Sequence, residues 1–202
     1  MKTLYTIGHS NHDMNHFVAL LREHRITAIA DVRQFPYSKY VPQFNRESLS
    51  SQLRDQGVEY VFLGHYLGAR PKDPSCYTDG RVDFRKLCTT SYFVDGLTRV
   101  HRGIAKYRVA LMCAEKDPIM CHRTVLVCRN MRHPQLQILH ILEDAELEDN
   151  RDSETRLLQR HNLWTPDLFR TRDELVEEAY DKQGYQMAAS ATEADVPELT
   201  PA

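Results

Sequence analysis

The chain has 202 residues, 42% hydrophobic and 27% charged, with a formal net charge of -2 when its ten histidines are neutral. That length supports a well-buried core, and the near-zero charge excludes a generally basic nucleic-acid wrapper while leaving room for a local basic patch. No apolar run is long enough to span a bilayer, and residues 1–8 read as a first strand instead of a secretory leader, so the expectation is a cytoplasmic protein without a membrane partner. The five cysteines form no CxxC pair, which fits reduced thiols and argues against a zinc ribbon.

Residues 3–7 form a short apolar strand that stops at Gly8-His9-Ser10. Phe17, Leu20 and Leu21 lie at helical spacing within residues 15–23, with Asp13 as N-cap. Residues 28–32 make a second buried strand. An aromatic loop follows over 35–45, holding Pro36 and Pro42. Residues 46–56 read as a helix ended by Gly57, and 58–63 as a third strand closed by Gly64. The stretch 65–84 is irregular, and a loop of that length inside a compact domain is usually functional.

Residues 92–107 read as a helix and 109–113 as the most apolar strand. Asp117-Pro118 predicts a further helix, with Asp as cap and Pro at its first position. Residues 136–142 make a fifth strand, and 157–181 read as mainly helical around Trp164-Thr-Pro166. Large apolar residues thin out from 186, so 186–202 read as a disordered tail. Strands alternating with helices imply an α/β fold: a mostly parallel sheet with helices on both faces. With no internal repeat and no second core, residues 1–185 read as one domain.

Four strands end in polar or glycine-containing segments: His9-Ser10, Asp31-Val-Arg33, Gly64-His65 and Cys113-Ala-Glu115. In a parallel sheet these ends share one rim, where open α/β sheets bind ligands. The strongest local feature is Cys113 to Arg123. A helix opened by Asp117-Pro118 would put Cys121, His122 and Arg123 in its first turns, a place that favours anions and thiolates. Arg123 adds a forked cation suited to phosphate or carboxylate. Cys121 is then the candidate nucleophile or redox thiol, with Cys113 as a second thiol and His122, Glu115, His9 and Asp31 as catalytic partners. Ser10, Arg33, Ser38, Lys39 and Arg123 are candidates for holding an anionic substrate. The bland reading makes the two cysteines core fillers.

A phosphatase or rhodanese loop needs Arg six residues after the cysteine, and six after Cys113 is Ile119. There is no Walker loop, no GxGxxG and no GxSxG. His12 and His16 lie four apart but lack an acidic companion at a ligand spacing, so they read as a solvated helix start. A metal set drawn from the strand rim would be His9, Asp31 and Glu115 with His122 or Cys113. Asp31 and Arg33 point to the same side of a strand, as an ion pair or as functional groups. The loop around Lys39 mixes aromatics with a cation, which suits base stacking or a loop pinned by its own rings. Cys76, Cys88 and Cys128 read as structural.

Taken together, these pieces resemble the family catalogued as domain of unknown function 488. The matching segments are Thr6-Ile-Gly-His-Ser10, Asp31-Val-Arg33 with Pro36 and Ser38, Leu67-Gly68 before Arg70-Pro71, Cys113-Ala-Glu115, and Asp117-Pro118 through Cys121-His122-Arg123, with His140-Ile141 closing the pattern. The resemblance covers roughly residues 1–145, leaving 146–185 as a helical extension, and departs at Ala69, where the family usually has a second glycine. It implies a three-layer α/β fold with a motif-lined cleft and supplies no reaction. Three readings remain. One is a thiol-dependent enzyme acting on a nucleotide or nucleic-acid base. Another is a metalloenzyme using zinc or iron, though no cofactor is required by the sequence. The third is a non-catalytic phosphate-binding module. The sequence assigns no oligomeric state.

Overall fold

The computed structural model describes residues 2–165 and 168–191. In chain order the elements are β1 (Lys2–Gly8), α1 (Met14–Glu23), β2 (Ala28–Asp31), α2 (Arg46–Asp55), β3 (Glu59–Phe62), α3 (Gly64–Leu67), β4 (Tyr77–Thr78), β5 (Arg81–Val82), α4 (Phe84–Leu87), α5 (Ser91–Ile104) and β6 (Val109–Cys113). They continue with a π-helical stretch Arg123–Cys128 leading into α6 (Arg129–Met131), then β7 (Leu136–Ile141), β8 (Leu147–Asp149), α7 (Asn150–Arg160) and α8 (Arg172–Ala191). No helix among the described residues is long and apolar enough to cross a membrane.

The main sheet has strand order β3-β2-β6-β1-β7-β8. All its pairings are parallel except β7 with β8. Alternation along the strands sends neighbouring residues to opposite faces. Tyr5, Ile7, Ile29, Ala110 and Met112 pack with Phe17, Leu20, Leu49 and Leu53 under α1 and α2. Leu4, Ala28, Ala30, Leu111 and Cys113 pack with Phe93, Val100, Leu126 and Val127 under α5 and the π-helical stretch. The fold is thus the three-layer α/β arrangement expected. The register sets Gly8 beside Cys113, and Asp31 beside Met112, so three strands end level with one another.

Four features differ from the sequence expectation. The first is the segment opened by Asp117. Its carboxylate caps only a 3-10 turn, Pro118–Met120, and Cys121 is extended (φ -130, ψ 138). The helix starts one residue later, with Cys121 at its cap position, because the Cys121 carbonyl accepts from the N–H groups of Thr124 and Val125 at 3.0 and 3.1 Å. The second is the stretch 65–84, which contains a hairpin. Asp79 and Gly80 both have positive φ, 50 and 74, the signature of a tight Asp-Gly turn joining β4 to β5. The third is β8, an antiparallel edge strand reached through a turn in which Ala145 has φ 68. Its acidic sequence hides it from a search for apolar alternation.

The fourth is the C-terminal part. The helix expected over 157–181 is two helices, α7 and α8, and Trp164 lies between them, with Pro166 outside the described residues. Asn162, at φ 57, takes the left-handed turn that ends α7. Helix α8 starts from a capping box: Thr171 N–H donates to Glu174 Oε2 at 2.7 Å, and Glu174 N–H donates back to Thr171 Oγ1 at 3.3 Å. The tail expected from 186 falls partly inside α8, which runs to Ala191 with Ala188 buried, while residues 192–202 lie outside the described residues. A third apolar cluster joins Ile119 and Val125 to Leu157, Leu158, Val176 and Ala179, where the sequence suggests a single core. Ala69 carries no positive φ, so its side chain costs the backbone nothing there. Replacing Thr171 by Ala removes one half of the capping box and is expected to cost about 1 kcal/mol, read as a lower urea midpoint at unchanged slope.

Candidate functional site

The level strand ends bring four donor groups together. The ligand atoms of Cys113, Glu115, Cys121 and His122 all lie within 4.8 Å of one another. Cys113 is the last residue of β6, and the short loop after it returns the chain to Cys121 and His122 at the helix start. Cys113 is 3% exposed, Cys121 0% and His122 8%, whereas Glu115 is exposed as a residue and turns its carboxylate inward. The cluster therefore opens to solvent on the Glu115 side.

Both thiols converge on one oxygen. Cys113 Sγ lies 3.0 Å and Cys121 Sγ 2.9 Å from Glu115 Oε2. Cys113 Sγ is also 3.5 Å from His122 Nδ1. The far nitrogen of that ring, Nε2, sits 3.0 Å from the Val32 carbonyl, which can only accept; Nε2 therefore carries the proton and Nδ1 faces the sulfurs with a lone pair when the ring is neutral.

The electrostatics are crowded. Burial opposes charge on Cys121, yet the hydrogen bond from Cys113 and the positive charges of Arg123 and His122 hold its thiol well below the usual range. Burial and the neighbouring Cys121 push Cys113 well above it. Glu115 is raised by burial and then by Cys121. Against its burial, His122 is raised by Cys121 and Glu115. A thiolate at Cys121 and a carboxylate at Glu115 cannot face each other across 2.9 Å without a proton or a cation between them.

The loop carrying the cluster is pinned by Arg123, which is 0% exposed. Its guanidinium donates to the Glu115 carbonyl, to the Lys116 carbonyl at 3.1 Å, and to Thr6 Oγ1 at 3.3 Å. Its backbone N–H donates to Cys121 Sγ at 3.4 Å. Gly8 makes room for this approach: a Cβ there would lie 1.9 Å from the Glu115 carbonyl oxygen.

His9, Asp31 and Arg33 form a second group on the same rim. Arg33 grips Asp31 through Nε at 2.9 Å and Nη2 at 2.6 Å, and donates to the Phe44 carbonyl at 2.9 Å. Tyr60 donates to Asp31 at 2.7 Å. His9 stacks on Phe44 at 4.3 Å, donates from Nδ1 to the Ser10 carbonyl at 2.8 Å, and accepts from Arg33 at its other nitrogen. Burial, followed by the Arg33 charge, lowers His9 to about 4.

These geometries redraw two expectations. The rim ligand set His9, Asp31, Glu115 and His122 does not assemble, because Arg33 occupies the His9 and Asp31 acceptors; among the described residues the group able to hold an ion is Cys113, Glu115, Cys121 and His122. Arg33 and Arg123, expected to face an anion, both turn inward onto protein acceptors. Ser10 sits at the rim with φ 46, its N–H on the Ala114 carbonyl at 2.8 Å. Ser38 and Lys39 stay within their own loop: Asn45 accepts from Ser38 N–H at 2.7 Å, and Lys39 lies 5.1 Å from the Tyr40 ring centre. Among the flanking histidines, His16 Nε2 lies 3.0 Å from the Glu143 carbonyl.

Behind the site lies a polar group that the sequence reading places only in a motif. His140, on β7, is fully buried between Thr6 Oγ1 at 2.8 Å and Asn150 Oδ1 at 3.1 Å. Burial, followed by the Arg123 charge, lowers it to about 3. A histidine depressed on folding contributes stability that is complete above its unfolded value near 6.5 and is lost as pH falls toward the folded value. From pH 7 to pH 5 that loss is about 2 kcal/mol for this one group. Urea titrations of the wild type and a His140→Gln variant at the two pH values should show the smaller drop in the variant.

The family profile described as domain of unknown function DUF488 matches residues 13–129, more than half of the chain. The match takes in Asp31, Arg33, Cys113, Glu115 and Cys121 to Arg123, and leaves out the Thr6–Ser10 segment and His140. No curated protein matches the chain. With more than half of its length matched by that profile, the chain belongs to the domain-of-unknown-function family DUF488.

Proposed function

We propose that this protein is a metal-dependent enzyme whose centre holds a zinc ion between Cys113, Cys121 and His122, with Glu115 at the solvent-facing position. The observation that carries the reading is the meeting of two thiols, an imidazole and a carboxylate within 4.8 Å. Soft thiolate donors with an imidazole suit zinc or iron and not magnesium or calcium. The bond from His122 Nε2 to a backbone carbonyl is the support that metal-bound histidines commonly have. A divalent cation also relieves the conflict between Cys121 and Glu115.

Three buried ligands and one open side match a catalytic zinc more than a closed structural one. Zinc in such a site supplies a water acidic enough to act as a nucleophile near neutral pH. With zinc held by Cys113, Cys121 and His122, the Glu115 carboxylate would be the group on the open side to accept a proton, which favours hydrolysis as the reaction class. The support for a nucleotide or nucleic-acid base as substrate is the adjacent loop, where Phe35, Tyr37 and Tyr40 are exposed beside Lys39. Arg33 and Arg123 shape the site without offering their charge to the ligand.

A metal-free thiol enzyme is the second reading, favoured by the contact of Arg123 N–H with Cys121 Sγ at the helix start. One experiment separates them. Protein purified without chelators should contain close to one zinc per chain, and Cys121→Ser or His122→Ala should lower that content strongly with the fold retained. Zinc should also protect Cys121 from iodoacetamide. Absence of metal, no uptake of added zinc, and rapid alkylation of Cys121 would overturn the zinc reading in favour of the thiol one.

A further inference from the structure

A line of buried hydrogen bonds leads from the back of Arg123 into the C-terminal helices. It passes from Arg123 Nε to Thr6 Oγ1 at 3.3 Å, from Thr6 to His140 Nδ1 at 2.8 Å, and from His140 Nε2 to Asn150 Oδ1 at 3.1 Å. Asn150 Nδ2 then donates to Glu154 Oε1 at 2.9 Å and lies 3.4 Å from Tyr180 OH. Tyr180 OH and Arg132 both donate to the same Glu154 oxygen, at 3.2 and 3.0 Å.

The two ends have opposite obligations. A guanidinium only donates, and the Glu154 carboxylate only accepts. Thr6 must therefore accept from Arg123 and pass its own proton to His140 Nδ1. His140 must carry its proton on Nε2, and the Asn150 amide has one orientation. Every member has a single role, so the chain rotates or flips only by breaking a buried bond. Thr6, His140, Asn150, Glu154 and Tyr180 all lie outside the matched residues 13–129.

We propose that Thr6, His140, Asn150 and Tyr180 are positioning residues: a one-way relay through which the C-terminal helices α7 and α8 fix Arg123, and through Arg123 the loop that presents Cys113, Glu115, Cys121 and His122. The extension is then a working part of the site and not an appendage. This inference rests on the zinc reading for its ligand and on the relay geometry for its mechanism.

The test is zinc affinity in Thr6→Val, which keeps the shape and loses the hydroxyl. Chelator competition at a temperature where the variant is folded should show affinity weakened by about 10-fold, the lower end of the range seen when direct partners of metal ligands are removed, because Thr6 acts through Arg123. Thr6→Ser should restore it, which a packing role for the methyl group would not allow. Tyr180→Phe should weaken zinc by a smaller factor, and serves if Thr6→Val does not fold. Wild-type affinity in the folded variants would overturn the relay. If the wild type takes up no zinc, the zinc reading fails, and the relay is judged by iodoacetamide. Because Arg123 also touches Cys121, an altered alkylation rate in Thr6→Val keeps the relay, and an unchanged rate overturns it.

Discussion

Arg123 is the constraint on which the rest of the site depends. A guanidinium cannot be deprotonated and is expensive to bury, so a fully enclosed one must find acceptors for its fork. Here it finds two consecutive carbonyls, of Glu115 and Lys116, and the Thr6 hydroxyl. Satisfying the charge therefore dictates the path of the loop between β6 and the helix. That path sets the Cys113 and Cys121 sulfurs on the same carboxylate oxygen. The absent side chain at Gly8 belongs to the same arrangement, because a Cβ would collide with the Glu115 carbonyl.

The neighbouring arginine solves its burial differently. Arg33 is 7% exposed and closes on Asp31, which is 0% exposed. Breaking one partner of such a pair leaves an uncompensated buried charge. Tyr60 and His9 complete the hydrogen bonding around the pair. This group braces the end of β2 against the loop that holds Phe44, while His122 is anchored to Val32 in between. The two buried arginines thus build the walls of one site and leave its centre to softer donors.

The C-terminal helices press on the other side. Arg129, on α6, pairs with Glu177 and Asp181 of α8, and Arg132 pairs with Glu154 and Glu177. Several of these groups are half-buried, and as a network they hold better than isolated surface pairs. Ile119 and Val125 join the apolar contacts of α7 and α8, so packing reaches the loop between β6 and the helix from behind as well.

Apolar period and turn chemistry made the parallel strands, the helices covering them and the rim residues legible from the sequence alone. Asp13, for instance, caps α1 as its spacing indicates. Cys113, Glu115, Cys121 and His122 also stood out, because strand ends and a short return loop are local features. What the sequence could not decide was which polar groups remain available. Arg33 lies two residues from Asp31 and could serve a ligand or a neighbour; burial made the neighbour win. His9 and Asp31 have the chemistry of ligands, but their lone pairs meet a cation 24 and 2 residues away in the chain. His140 acquired its role from Thr6, 134 residues distant. The Asp-Gly turn before β5 and the Thr171-Glu174 box were readable signals that a search for apolar period passes over. Local pattern determines elements, because propensity and capping act within a few residues. Desolvation acts on whatever the fold encloses, and only the tertiary structure decides which charges are spent on holding the protein together.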